Sequence, residues 1–142
     1  MQISHPSVYV GETGTAKGRG VFAARPHADG ETVEACPVIL FSGTFASVPE
    51  EVRKVLFNWG VLADVRSTHC FALGYGSLYN HDNPANMRYE ADAAGNVLRF
   101  VAVRAISQGE ELTVNYNALG GHHESEADTW FERMGVKLFV AE

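Results

Sequence analysis

Hydrophobic residues in this chain fall in short runs separated by turn formers, with few long amphipathic stripes. The runs "SVYVGE" (7–12), "GVFAA" (20–24), "TVEACPVILF" (32–41), "HCFALGYG" (69–76), "NVLRFVAVRAI" (96–106) and "ELTVNY" (111–116) are rich in Val, Phe and Tyr and bounded by Gly, Asn, Asp or Pro. Such residues suit a pleated, half-buried surface, so each run predicts a strand. One helix is predicted over 47–60, "SVPEEVRKVLFNWG". There Ser47 and Glu50 have capping-box spacing, Pro49 lies in the first turn and Gly60 is placed for a C-terminal cap. Val52, Val55, Leu56 and Trp59 share a face that would pack against the sheet. A weaker helical pattern over 124–134 puts Trp130, Phe131 and Met134 on one face. The expected fold is mainly β, with one or two short helices.

Composition narrows the class. The chain has 142 residues, enough for one domain with a core of its own. No apolar run is long enough to cross a bilayer, and the opening "MQISHPSVYV" lacks a basic head followed by an apolar stretch, so a cytoplasmic location is expected. Cys36 and Cys70 are two and far apart, which argues for buried free thiols over a disulfide framework or a cysteine zinc site. A formal charge of −6 disfavours direct contact with nucleic acid and suits a basic partner.

Three segments could carry chemistry. In "KGRGVFA", Gly18 and Gly20 either make a hairpin turn or let backbone amides approach an anionic group. In "NHDNPAN", Asn80 offers a donor and an acceptor from one side chain and His81 a ring or backbone contact, or else the segment is a turn with internally satisfied Asx groups. In "GEELTVNYN", Tyr116 ends a strand, where a core or rim aromatic is the plain reading. A fourth candidate, "HHE" at His122 to Glu124, could join His81 and Asp82 around a metal; adjacent histidines point different ways on most backbones, so a solvated loop is expected and no metal site.

The order and joint presence of "KGRGVFA", "NHDNPAN" and "ELTVNY" closely resembles the SET-domain protein-lysine methyltransferases, over about residues 18 to 116. The phrase "ALGYGSLYNHDNPAN" is most similar to compact bacterial and viral members, which lack a cysteine-rich tail. The resemblance implies a single SET domain over 1–142, with its core at about 8–117 and an aromatic tail over 118–142. It implies a β-clip fold whose C-terminal segment threads a preceding loop to form a pseudoknot. It also implies S-adenosylmethionine as cofactor, the side-chain amine of lysine in a basic or histone-like protein as substrate, and pairing into homodimers as in some compact relatives.

Carried over by position, Lys17, Gly18, Arg19 and Gly20 would meet the methionine end of the cofactor. Asn80 would contact its amino group and the backbone of His81 its adenine. Tyr116 matches the catalytic tyrosine and Tyr89 a tyrosine lining the lysine channel. Trp130 or Phe131 would either stack over adenine or pack the last helix on the core. Tyr89, with Val114 near Tyr116, suggests transfer of one or two methyl groups. Two departures stand out: Asp82 replaces the usual serine, as a turn cap or an aid to a basic substrate, and Cys36–Pro37 stand where some relatives place a channel tyrosine. A binding module that keeps the fold without transferring methyl groups is the alternative.

Overall fold

The computed structural model describes residues 2–42, 44–65, 68–118 and 120–126. Over these described residues it is mainly β, with nine short strands in three sheets. Strands β1 (Val8–Glu12) and β2 (Arg19–Ala23) form an antiparallel hairpin. Its turn closes by bonds from the Thr13 N–H (2.8 Å) and Thr13 hydroxyl (2.7 Å) to the Gly18 carbonyl, with Gly18 at φ +74°. Only glycine takes that backbone conformation without strain, so Gly18 serves the turn.

The main sheet has the order β4-β5-β3-β8-β7, built from β3 (Thr32–Phe41), β4 (Leu56–Phe57), β5 (His69–Ala72), β7 (Met87–Asp92) and β8 (Val97–Ala102). Strand β8, interior to the sheet, is apolar nearly throughout and buried at Val97, Leu98, Phe100, Val101 and Ala102, as a strand covered on both faces requires. The core gathers Val21, Cys36, Tyr79, Met87, Leu98, Phe100, Leu112 and Val114 around it. Burial pushes the Cys36 thiol up, aided by the Glu34 charge, and raises Cys70 to about 12, so both are neutral core residues.

The helix expected over 47–60 is not formed. A 3-10 turn at Phe45–Ser47 and two single turns, α1 (Glu50–Arg53) and α2 (Trp59–Leu62), flank β4 instead. Phe57 packs edge-on against Tyr89 and Phe100, at 5.0 and 5.9 Å between ring centres, and Leu56–Phe57 pairs with β5. Sheet pairing and aromatic burial outweigh local helix preference across this segment. Ser47 caps nothing: its hydroxyl donates to the Thr44 carbonyl, and Gly60 lies inside α2. Strand β7 was not expected, and "HCFALGYG" is a strand only to Ala72, continuing as turns. The second helical pattern, over 124–134, falls almost wholly outside the described residues.

The third sheet positions the site. Strand β6 (Asn80–His81) runs parallel to β9 (Thr113–Val114), with Asn80 opposite Thr113 and His81 opposite Val114. Just before β9 the chain lies along the hairpin, the Leu112 N–H donating to the Val21 carbonyl at 2.8 Å. After β9 it returns along residues 83–89: the Ala85 N–H donates to the His123 carbonyl, the Asn83 amide both donates to Ser125 and accepts its N–H, and the Tyr89 N–H donates to the Gly121 carbonyl. The 80–89 segment is thereby enclosed on two sides by 111–125, which is the pseudoknot.

Candidate active site

Threading brings the three motifs together. Gly20, on β2, is a point of close approach: a Cβ there would lie 2.6 Å from Glu111 Oε2 and 3.1 Å from Asn80 Nδ2. The Asn80 amide donates to the Arg19 carbonyl at 2.9 Å and to Glu111 Oε2 at 2.7 Å, while Lys17 Nζ lies 3.9 Å from Glu111 Oε1. Lys17, Gly20 and Asn80 thus converge on Glu111, a residue absent from the expected site, with the Arg19 carbonyl held on Asn80. Its signal was the first acidic position of "ELTVNY", next to the hairpin once the segment is threaded.

Asn86 was also missed. Buried at 4% exposure, it donates to the Glu111 carbonyl at 2.7 Å and accepts from the Thr113 N–H at 2.9 Å, so it clamps the threaded strand from the side. A buried amide with donor and acceptor both used is a satisfied polar group. Asp82 acts as a turn residue here, its carboxylate accepting from the Asn83 N–H at 2.9 Å.

His81 is used through its ring as well: Nδ1 accepts the Tyr116 N–H at 3.0 Å, and the two rings lie 5.3 Å apart. The Tyr116 hydroxyl donates to the Tyr79 carbonyl at 2.5 Å, and that of Tyr89 to the Ala118 carbonyl at 3.0 Å. Burial raises both phenols, helped for Tyr116 by the Glu111 charge and for Tyr89 by Tyr116, so both stay protonated donors at neutral pH.

Tyr79, Tyr89 and Tyr116 line one cavity of about 70 Å³, together with Val55, Leu56 and Phe57. At about 10–15 Å³ for each water-sized body, it admits the end of a side chain and not a nucleoside. A wider groove of about 520 Å³ lies along Asp82, Glu110, Glu111, Thr113 and Glu124. The Tyr116 position therefore joins a small aromatic-walled chamber, while Glu111 ties the hairpin to the larger groove. Trp130 and Phe131 lie outside the described residues. Among the described residues, no three His, Cys, Asp or Glu side chains are grouped to hold a metal ion, and the His123 carbonyl accepts from Ala85.

Comparison with known proteins gives the family. Residues 18–117 match the family model of the SET domain. A histone-lysine N-methyltransferase of Schizosaccharomyces pombe, specific for H3 lysine 37, is 31% identical over 116 residues, covering 82% of this chain and 71% of that protein. Among solved structures, a candidate histone methyltransferase of Plasmodium falciparum superposes with TM-score 0.64 at 23% identity, over 80% of this chain and 95% of that one. A humanized mutant of Polycomb Repressive Complex 2 of Chaetomium thermophilum gives 0.65 at 24% identity, over 80% of this chain but only 15% of the larger one. These structural likenesses concern the fold, and the sequence matches carry the family. The chain belongs to the SET-domain family of protein-lysine methyltransferases.

Proposed function

We propose that this protein uses S-adenosylmethionine to methylate the side-chain amine of lysine in a basic, histone-like protein. The observation that carries the reading is the β6–β9 pairing, which sets the Tyr116 hydroxyl on the Tyr79 carbonyl at the wall of an aromatic chamber. The residues present fit the amino-acid end of the cofactor. Lys17 suits a carboxylate, and Glu111 with the Asn80 carbonyl oxygen suits an ammonium; the missing Cβ of Gly20 keeps this group close-packed. Bound there, S-adenosylmethionine supplies a methyl group activated by its sulfonium.

The chain's own residues do the rest. A lysine with pKa of about 10.4 must shed a proton before it can act as a nucleophile, at about 1.4 kcal/mol per pH unit below that value. The walls of Val55, Leu56, Phe57 and Tyr89 exclude water and disfavour the ammonium, which lowers that cost. Tyr116, a protonated phenol committed to Tyr79, orients the amine through its remaining lone pairs and is no base. Alignment is thus the main contribution of the site. A net charge of −6 and the histone specificity of the S. pombe relative support a basic substrate.

The test is incubation with isotopically labelled S-adenosylmethionine, core histones and a lysate fraction, beside Tyr116→Phe. Label on lysine is expected with the unmutated protein, and about 10²-fold less with the variant. Equal labelling by both would remove Tyr116 from the mechanism. No S-adenosylmethionine binding by calorimetry, together with no transfer to lysine, would return the binding-module reading.

A further inference from the structure

Glu34 is a buried carboxylate that lines neither the chamber nor the groove. It sits in an otherwise apolar strand, β3, at 5% exposure. A charge in such a place is costly unless its oxygens are occupied. Both are occupied: Oε1 accepts the Tyr79 hydroxyl at 2.6 Å and Oε2 the Tyr75 N–H at 3.0 Å. Space is kept for the carboxylate by Gly74, where a Cβ would come within 2.5 Å of Oε2.

Tyr75 and Tyr79 are the two ends of one turn. The Leu78 N–H bonds the Tyr75 carbonyl within it, and Gly76 and Ser77 line the small chamber. The Tyr79 ring is 1% exposed and packs on Phe100 at 4.8 Å between centres, so pinning its hydroxyl leaves little freedom to its backbone. That backbone carbonyl is the one holding the Tyr116 hydroxyl.

We propose that Glu34 is a positioning residue for Tyr116, acting through Tyr79 and the 75–79 turn. It rests on the reading of Tyr116 given above. The carboxylate fixes both ends of the turn, the turn fixes the Tyr79 carbonyl, and the carbonyl fixes the direction of the phenol. Burial and the Glu34 charge also hold the Tyr79 phenol protonated, so the bond to Glu34 persists through the neutral range.

The experiment uses Glu34→Gln and Tyr79→Phe, each alone and combined with Tyr116→Phe. Single-turnover methyl transfer is measured with labelled S-adenosylmethionine, and the full-length protein carries ¹³Cζ-tyrosine for NMR. Each variant is expected to slow transfer about tenfold, with KM for S-adenosylmethionine within about twofold, and to lose that effect when Tyr116 is already Phe. The Tyr116 resonance, identified by its loss in Tyr116→Phe, is expected to shift in both variants. Additive losses, or an unmoved Tyr116 resonance, would overturn the proposal. Tyr79→Phe removes one hydroxyl and keeps the ring, so it remains informative if Glu34→Gln does not fold. Should the unmutated protein transfer no methyl group, the resonance decides alone: a shift sustains the coupling while the enzymatic reading falls, and no shift ends both.

Discussion

The Tyr116 backbone N–H donates to the ring Nδ1 of His81 across 3.0 Å, so the β9 segment and the asparagine-rich loop are joined by a side chain as well as by sheet pairing. The bond requires a bare Nδ1, which places the proton of the neutral ring on Nε2. His81 thus sets where Tyr116 begins. His81→Ala would leave this partly buried N–H without its ring acceptor, at about 1–3 kcal/mol. We expect a matching loss in urea unfolding and slower methyl transfer, with part of both recovered in His81→Asn, whose amide oxygen can accept. Unchanged stability in His81→Ala would mean that the bond does not anchor the strand.

The phenols of Tyr116 and Tyr89 both titrate above the ordinary tyrosine value of about 10, because burial penalises their charged forms. The direction fixes the pH dependence. A raised pKa keeps each hydroxyl protonated through neutral and mildly alkaline pH, while the substrate amine gains its reactive neutral form as pH rises. The value of kcat/KM should therefore climb between about pH 7 and 9. Tyr116→Phe should lower the curve and leave its shape. A falling limb below pH 9 that vanishes in Tyr116→Phe would show the phenolate forming early, against the burial argument.

Tyr89 lines the chamber beside Tyr116, and its hydroxyl is anchored on the Ala118 carbonyl. Removing the hydroxyl opens room beside Tyr116 and leaves that carbonyl to the Gly121 N–H alone, at about 1 kcal/mol of stability. Tyr89→Phe is expected to shift the product from mono- and dimethyllysine toward trimethyllysine. Intact-mass and peptide mass spectrometry of a methylated substrate measure the distribution. Trimethyllysine as the main product of the unmutated protein would sink the size argument.

The parts of the fold legible in the sequence are those where local pattern and final environment agree. "RGVFA" and "VLRFVA" are apolar runs between turn formers and became strands. Leu56 had helical spacing with Val52 and Trp59, but what decides this segment is Phe100 and Tyr89, distant in sequence, against which the next residue, Phe57, packs. Strand β7 did carry a signal: Met87 and Tyr89 are buried while Arg88 and Glu90 pair outside, a plain alternation directly after "NHDNPAN". Tyr116 and Asn80 were legible because their motifs are compact. Glu111, Asn86 and Glu34 were not, since their partners are brought near only by threading and sheet formation. Their shared trace is a polar residue within or beside an apolar run, which the burial rule marks as worth a question.

Gly121 tests the enclosure of the 80–89 segment most directly. Its φ is +82°, and a Cβ at this position would stand 1.9 Å from the Tyr89 carbonyl oxygen, so both backbone conformation and space demand glycine. The Gly121 carbonyl meanwhile accepts the Tyr89 N–H at 3.0 Å, and the Tyr89 hydroxyl holds Ala118 three residues earlier. Gly121→Ala must therefore push the returning chain off β7, costing the left-handed strain of about 1–2 kcal/mol and the displaced hydrogen bond besides. The expected result is a loss of about 2–3 kcal/mol in urea unfolding, and faster amide exchange at Tyr89 than at Leu98 in the sheet interior. Gly120→Ala is the control, because Gly120 has no positive φ and its nearest neighbour at 3.4 Å is the His122 ring. Equal effects from the two substitutions would mean that the return segment is not clamped at Gly121.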